Sequence, residues 1–281
     1  MKATGRPSEY DAVRAASYWS GPRHDGGDEL AAVLSLGEPV HVNAAYDAWE
    51  TGLLLDALAE RGAALRGASA IDVGAGVGRV SLRVAPRVAR LVCGDLAPGM
   101  LHRLGRNAKR ARVAGTLPVR LRSDRLPLRD RSVSLVLCLG LLEHLPLETR
   151  RASLREAARV LRSGGLLALV LNNAESRFLR DPEDNPLRTG RQRENGYYCA
   201  VVGDREVLAE TAEDFDAVLL GSNLLYSLHR HAARLLDEAD RGSARLAPFF
   251  ERAAAWDRSI RPVGPLARAA ADHHLYLLTR R

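Results

Sequence analysis

The stretch Ala70-Ile71-Asp72-Val73-Gly74-Ala75-Gly76-Val77-Gly78-Arg79 decides the fold that this 281-residue chain is expected to adopt. An apolar strand leads into a glycine-rich turn, and a helix is predicted through Val80, Leu82 and Val84. Glycine lets the backbone pass close to a ligand, and the start of a helix offers unpaired amides to it. The G-x-G-x-G spacing differs from the G-x-G-x-x-G of dinucleotide sites. Asp72 would repel a pyrophosphate and attract a cationic amino group.

Apolar segments of strand length alternate with helical patterns from Ala68 onwards. Strands are predicted at residues 69–73, 90–94, 118–121, 133–139, 166–171, 215–220 and 274–278. Helices are predicted at 147–162, with Gly164 as the stop signal, at 204–211, and in a helical lobe that ends near Trp256. Such alternation predicts an α/β fold with a doubly wound, mostly parallel seven-stranded sheet and a C-terminal helical insertion.

The N-terminal part of the chain has a helical pattern of its own. A short helix is predicted over residues 10–19, and a glycine-containing link follows it. A second helix has Asn43 as its expected N-cap, and its apolar positions follow at four-residue spacing: Ala45, Trp49, Leu53 and Ala57. We therefore expect a helical lid at residues 1–67 and a second domain at 68–281. The polar, aperiodic segment 175–196 is expected to be a functional loop at the acceptor site.

Two more strands are followed by acidic residues. Asp95 ends the second strand, and Asp124 follows the third. A carboxylate at Asp95 can accept hydrogen bonds from both hydroxyls of a ribose, and Asp124 can accept one from the exocyclic amine of adenine. A helix-capping role is the alternative for each acid alone. Three acids at three successive strand ends match the three parts of one nucleoside ligand.

These motifs resemble those of the class I S-adenosylmethionine-dependent methyltransferases, in particular the small-molecule group called the ubiquinone-biosynthesis type. The resemblance is strong over residues 68–172 and weaker up to 272–277, which look like the closing strand of the family. It implies a Rossmann-like fold with S-adenosylmethionine as cofactor. By this resemblance the methionine part contacts Asp72, Gly74, Ala75, Gly76 and Gly78; the ribose contacts Asp95; the adenine contacts Asp124 and Arg125; and Leu96, Met100 and Leu139 are further cofactor contacts.

The segment after the fourth strand, residues 139–145, also matches the family pattern. It implies that His144 lies near the acceptor, where an imidazole with an ordinary pKa near 6.5 is a candidate general base. The alternative is that Glu143 and His144 only cap or pack the next helix. Some relatives are thought to bind a metal through Glu-x-x-Glu-His, but Gly140 replaces the first glutamate here, so no metal site is expected.

Aromatic residues outside the sheet are the candidates for acceptor binding, with simple packing as the alternative. They are Trp19, Tyr46 and Trp49 in the lid, and Tyr197 and Tyr198 after the polar loop. The predicted function is methyl transfer, by in-line displacement, to an O or N atom of a small molecule such as a sugar, a phenol or a natural-product scaffold. The alternative is an RNA or protein methyltransferase with the same cofactor site, and a nicotinamide oxidoreductase ranks third. A relative that binds the ligand without catalysing a reaction is a further alternative.

The composition, with 46% hydrophobic and 27% charged residues, is typical of a globular protein. The net charge of +7 would fit a nucleic-acid partner, but 39 of the 41 basic residues are arginines scattered over every segment, so no such partner is expected. Three widely spaced cysteines form neither a disulfide framework nor a zinc site. The first residues are polar, and no apolar run reaches the roughly 20 residues of a membrane helix. We therefore expect a cytoplasmic protein without membrane insertion, as a monomer or a homodimer.

Overall fold

A computed structural model of the chain describes residues 10–21, 29–35, 37–61, 65–177 and 190–281. Most of the predicted acceptor loop and part of the glycine-containing link lie outside the described residues. Among the described helices, none is both long and apolar enough to cross a lipid bilayer.

Seven strands form one sheet in the order β3-β2-β1-β4-β5-β7-β6. The first five pair in parallel, while β7 runs antiparallel to both β5 and β6. The strands are β1 (Ser69–Val73), β2 (Arg90–Asp95), β3 (Thr116–Arg120), β4 (Val133–Leu139), β5 (Leu161–Asn172), β6 (Phe215–Ser222) and β7 (His273–Arg280). The predicted α/β class and strand number are confirmed. The strand order reverses between β1 and β4, and in open sheets of this kind ligands bind at the carboxyl ends of the strands at such a point.

Helices cover both faces of the sheet. They are α1 (Ala12–Ser20), α2 (Val40–Ala59), α3 (Ser81–Val84), α4 (Pro98–Ala111), α5 (Leu147–Val160), α6 (Asp204–Thr211), α7 (Leu224–Ala233), α8 (Glu238–Gly242), α9 (Ala247–Ile260) and α10 (Pro265–Ala270). Successive strand residues point to opposite faces. Leu135 and Leu137 therefore pack on the face covered by α2 and α9, whereas Val136 and Cys138 pack on the face covered by α5.

Two predicted helix boundaries are wrong. Helix α2 begins at Val40, and Asn43 lies inside it, where its side-chain amide donates to the carbonyl of Ser35 at 2.9 Å. Helix α5 ends at Val160 and passes directly into β5, so Gly164 does not stop the helix. Gly164 has a φ of +72° and lies where the pairing of β4 with β5 shifts register.

Helix α2 belongs to the core of the sheet domain. Trp49, Leu53 and Leu54 are fully buried in the same hydrophobic cluster as residues of β1 and β4. Helix α1, by contrast, contributes Ala15, Ala16 and Trp19 to the wall of a cavity at the carboxyl ends of the strands. Of the segment expected to form a lid, α1 is thus the helix that covers the cavity, and α2 supports its wall. The domain boundary at residue 67 stays a prediction.

Candidate active site

One cavity of about 680 Å³ runs along the carboxyl ends of the strands, from β3 to the β5–β7 side of the sheet. Its volume lies within the roughly 300–1,000 Å³ that is usual for small-molecule sites. The turn after β1, the end of β2 and the segment after β4 form its wall on the sheet side. Helix α1 and the start of α2 lie across from them. The cavity therefore lies at the point where the strand order reverses.

The turn after β1 brings bare backbone to the cavity. Gly74, Gly76 and Gly78 have φ values of +81°, +53° and +87°, in the region that side chains rarely adopt. The amides of Gly74 and Ala75 donate to the carbonyl of Gly94 at 2.8 and 2.9 Å, which fixes the turn against β2. Gly74 and Gly76 line the cavity. The turn thus presents a rigid surface that a ligand can approach closely.

Asp72 is a buried carboxyl group at the end of β1 that lines the cavity. Burial raises its pKa to about 6, although the hydrogen bond from Ser81 and the charge of Arg79 act in the opposite direction. The hydroxyl of Ser81 donates to Oδ2. A buried acid with an elevated pKa is costly to ionise without a cationic partner, so this position favours a ligand with a positive charge.

Asp95 lies beside the glycine turn at the end of β2. Its Oδ2 accepts from the amide of Gly76 at 2.9 Å, and its Oδ1 accepts from the amide of Ala97 at 2.8 Å. Burial raises the pKa of Asp95, while these backbone amides act to lower it. Each carboxylate oxygen has a second lone pair, so Asp95 can still accept hydrogen bonds from hydroxyl groups in the cavity.

A buried cluster of charges joins α2 to the residue after the glycine turn. Arg79 contacts Asp47 at 2.9 Å and also pairs with Glu50. Arg83 pairs with the other oxygen of Asp47 at 2.8 Å. The guanidinium of Arg79 is thus paired with two acids of α2, and its charge offsets only part of the effect of burial on Asp72.

At the β3 end of the cavity, Asp124 is paired within its own turn. Arg122 donates to its Oδ1 at 2.9 Å and to its Oδ2 at 2.6 Å. These hydrogen bonds outweigh burial and lower the pKa of Asp124. Asp124 lines the cavity together with Met100 and Tyr10. The contact between Asp124 and adenine stays a prediction. Both carboxylate oxygens that would accept from adenine already accept from Arg122.

His144 lies in a short 3₁₀ turn after β4 and lines the cavity. Its Nδ1 lies 2.9 Å from the carbonyl oxygen of Tyr198, so Nδ1 carries the proton and Nε2 holds the lone pair in the neutral ring. Trp19 and Tyr197 pack against the ring at centroid distances of 5.0 and 5.7 Å. Burial lowers the pKa of His144, but Cys199, Glu143 and the Tyr198 carbonyl outweigh it, and the pKa is raised.

The segment that follows the undescribed part of the loop holds α1 in place over the cavity. Gln192 accepts from the amide of Asp11 at 2.7 Å and donates to its carbonyl at 2.9 Å. Arg14 donates to the carbonyl of Arg193 at 3.1 Å. These hydrogen bonds join α1 to the residues just before Tyr197, a contact that the sequence analysis does not predict.

Twelve of the seventeen predicted site residues line the cavity: Trp19, Tyr46, Asp72, Gly74, Gly76, Asp95, Leu96, Met100, Asp124, Leu139, His144 and Tyr197. Five do not line it: Trp49, Ala75, Gly78, Arg125 and Tyr198. Trp49 is fully buried in the core, which contradicts a direct role in acceptor binding. Arg125 is exposed on the surface. Tyr198 acts through its carbonyl, which orients His144.

The sequence interpretation missed several charged and aromatic residues of the cavity wall. The chief ones are Glu38, Glu50, Glu143, Arg177, Tyr226, Arg230, Arg234 and His273. Two of them lie in segments that the sequence singles out: Glu143 precedes His144 in the family-like segment, and His273 belongs to the run that resembles the closing strand. Arg230 and Arg234 belong to a helical lobe whose pattern gives no hint that it packs beside Glu38, almost 200 residues earlier in the chain.

Comparison with known proteins identifies the central part of the chain. Residues 71–169 match the family model described as a methyltransferase domain. This segment contains β1 to β4, the glycine turn, Asp95 and His144. The fold and this match together define a class I, S-adenosylmethionine-dependent methyltransferase domain.

Two curated relatives align with part of the chain. An uncharacterized methyltransferase of Mycobacterium tuberculosis, Rv3342, is 35% identical over 108 residues, which are 38% of this chain and 41% of the relative. The malonyl-[acyl-carrier protein] O-methyltransferase of Geobacter sulfurreducens is 37% identical over 107 residues, which are 36% of this chain and 37% of the relative. The matched segment thus spans less than half the length of these relatives.

Solved structures are similar over more of the chain at low sequence identity. The geranyl diphosphate C-methyltransferase of Streptomyces coelicolor superposes with a TM-score of 0.57 at 16% identity, and the match covers 99% of this chain and all of that one. The YcgJ protein of Bacillus subtilis superposes with a TM-score of 0.55 at 17% identity, covering 83% of this chain and 98% of that one. These likenesses concern the fold.

Proposed function

We propose that this protein transfers a methyl group from S-adenosylmethionine to an O or N atom of a small-molecule acceptor, such as a sugar, a phenol or a natural-product scaffold. The observation that carries the proposal is a single cavity that joins the acids at the ends of β1 and β2 to His144. The structural neighbour from Streptomyces coelicolor acts on a small molecule, geranyl diphosphate, which supports an acceptor of this size.

The residues fit the cofactor at three points. The buried carboxyl of Asp72 suits the cationic amino group, and the oxygens of Asp95 suit the ribose hydroxyls. The bare backbone of the glycine turn allows close approach of the methionine part. When bound, S-adenosylmethionine supplies a methyl group that is already activated by a positively charged sulfur.

The protein then has to align the acceptor for in-line displacement and exclude water. Trp19 and Tyr197 would shield the reacting atoms, since both line the cavity and pack on the ring of His144. The Nε2 atom of His144 would accept the proton that a hydroxyl group of the acceptor loses as it attacks, or the proton that an ammonium group must lose before its nitrogen can attack. The hydrogen bond from Nδ1 to the Tyr198 carbonyl keeps the ring in the tautomer that this step needs.

The proposal is tested first by binding. S-adenosylhomocysteine should raise the melting temperature of the purified chain and NAD should not. Asp95→Ala should weaken S-adenosylhomocysteine binding by roughly 1–3 kcal/mol, because ribose hydroxyls lose their partner. Asp216→Ala is the matched control, since this exposed acid pairs with Arg281 far from the cavity. An unchanged dissociation constant in Asp95→Ala would contradict the ribose assignment.

The acceptor is tested by incubating the protein with methyl-labelled cofactor and fractions of small metabolites. A product heavier by one CH₂ unit, formed equally well at low and high salt, supports a small-molecule acceptor. Label that appears only in added RNA or protein would contradict it.

A further inference from the structure

The end of the cavity beyond His144 carries three arginines. Arg177 follows β5, Arg230 lies in the last turn of α7, and Arg234 is the residue directly after that helix. All three line the same cavity as Asp72, but they lie beside β5 and β7, on the other side of β4 from the glycine turn. The cavity is therefore acidic near the glycine turn and basic at its far end.

The charges at the basic end are only partly balanced. One oxygen of Glu38 accepts from Nε of Arg230 at 3.0 Å and from Arg234 at 2.8 Å, so two guanidinium groups share a single carboxylate. Asp272 does not line the cavity. Its Oδ2 lies 3.3 Å from Nη1 of Arg230, and its Oδ1 lies 2.9 Å from Nε2 of His231. Burial alone would raise the pKa of Glu38 and Asp272, yet the neighbouring cations lower both.

Structural roles account for only part of this cluster. Arg230 is held on two sides by Glu38 and Asp272 and ties α7 to the start of α2 and to β7. Arg234, by contrast, is 42% exposed and its described contact is one bond to Glu38. Arg177 is exposed, and its side chain has no ion-pair or hydrogen-bond partner within the described ranges. These two guanidinium groups therefore have donors available at the cavity wall.

We propose that the methyl acceptor carries an oxyanion group, a carboxylate or a phosphate, and that Arg177 and Arg234 bind it at this end of the cavity. Arg230 is paired with Glu38 and Asp272, so it supports the wall of this end rather than binding the anion itself. Guanidinium groups bind such anions through paired, charge-assisted hydrogen bonds. The inference rests on the proposed function, because it assumes that the cofactor occupies the part of the cavity beside the glycine turn and leaves this end for the acceptor.

The test uses the full chain saturated with S-adenosylhomocysteine. Inorganic pyrophosphate and citrate are titrated into it separately by calorimetry, so that the two arms distinguish a phosphate from a carboxylate. We expect saturable binding of at least one probe. Arg177→Gln and Arg234→Gln should each weaken it by about tenfold or more, the loss expected for a charge-assisted hydrogen bond. Arg245→Gln, an exposed arginine outside the cavity, is the matched control and should leave binding unchanged.

Binding of S-adenosylhomocysteine to every variant is measured in parallel. If the wild-type chain binds S-adenosylhomocysteine but binds neither probe saturably, the inference is wrong and the proposed function stands. The same conclusion follows if Arg245→Gln loses as much affinity for the probes as the cavity variants do. If Arg177→Gln and Arg234→Gln lose S-adenosylhomocysteine affinity instead, the arginines hold the carboxylate of the cofactor, which also overturns the inference. Failure of the wild-type chain to bind S-adenosylhomocysteine contradicts the proposed function itself.

Discussion

At the scale of single residues, Asp72 couples the cofactor site to pH. Its pKa in the folded chain is raised to about 6 from an ordinary 3.8, mainly by burial, so it is neutral in mildly acidic solution. A carboxyl group whose pKa is raised on folding stabilises the folded state at low pH. This stabilisation is lost as pH rises through 6. Binding of a cationic amino group stabilises the ionised form of Asp72, because the carboxylate then has a partner of opposite charge.

We therefore expect the affinity for S-adenosylhomocysteine to rise between pH 5 and 7, by up to about tenfold per pH unit below the pKa of Asp72. Calorimetry over this range measures it. Asp72→Asn should bind weakly and with a flatter pH dependence. Asp257→Asn is the matched control, because burial also raises the pKa of Asp257 to about 6 although it does not line the cavity. An equally steep profile in Asp72→Asn would remove Asp72 from the cofactor site.

His144 gives a second prediction at this scale. If His144 is the base, kcat/KM should fall as pH drops below its raised pKa, with a midpoint above the ordinary 6.5. His144→Ala should lower kcat with little change in S-adenosylhomocysteine affinity. His229→Ala serves as control, since its Nδ1 also lies 2.8 Å from a backbone carbonyl and its ring lies outside the cavity. Normal turnover in His144→Ala would leave His144 with a packing role.

At the scale of elements, the docking of α1 depends on Gly196. This residue has a φ of +93°, and a Cβ placed on it would overlap the carbonyl group of Arg14 in α1. Gly190 has a φ of +64°, but the atom nearest to its Cβ position lies 3.9 Å away. Alanine at either position strains the backbone by roughly 1–2 kcal/mol, whereas alanine at 196 also pushes α1 away.

Gly196→Ala should therefore speed hydrogen exchange throughout Ala12–Ser20 and weaken cofactor binding, because Ala15, Ala16 and Trp19 leave the cavity wall. Gly190→Ala has the same backbone strain but no overlap with α1, so α1 should remain protected from hydrogen exchange in this variant. Exchange measured by mass spectrometry compares the two. Equal protection of α1 in both variants would show that this contact does not hold the helix.

The helices and strands also show which features of the fold local sequence patterns can predict. The predicted limits of β1, β4 and α6 agree with the structure, because each is a short segment whose apolar pattern and flanking residues are local. Trp49 was assigned to the acceptor because its helix was expected to form a lid. The packing of α2 against α9, about 200 residues later, buries it in the core instead. Periodicity identifies an apolar face but not what covers it.

The same limit applies to the candidate site. The residues at the ends of β1 and β2 were found because each lies in or next to a strand that the pattern reveals. The basic end of the cavity was missed because Glu38, Arg230 and Arg177 come from three distant segments and line one cavity only in the fold. Asp272, His273 and His274 form one run in the sequence, yet only His273 lines the cavity.

At the scale of the whole molecule, two buried acids join the antiparallel side of the sheet to its helices. Asp204, at the start of α6, accepts from Tyr276 at 2.7 Å and lies 2.9 Å from Nδ1 of His274, both on β7. Asp272 pairs with Arg230 and His231 of α7. Burial would raise the pKa of each acid, but these partners outweigh it and lower both values to about 2.

An acid whose pKa is lowered on folding stabilises the folded state above its ordinary pKa of 3.8 and loses that contribution as pH falls towards 2. The chain should therefore lose stability steeply between pH 4 and pH 2 in urea unfolding experiments. The Asp204→Asn, Asp272→Asn double variant should be less stable at pH 7, by about 1–3 kcal/mol at each site, and should lose less on acidification. Asp216→Asn, an exposed acid with a surface partner, should retain the wild-type profile. If the double variant loses as much stability as the wild type over this range, other carboxyl groups govern acid unfolding, and the attachment of β7 does not depend on the ionisation of these two acids.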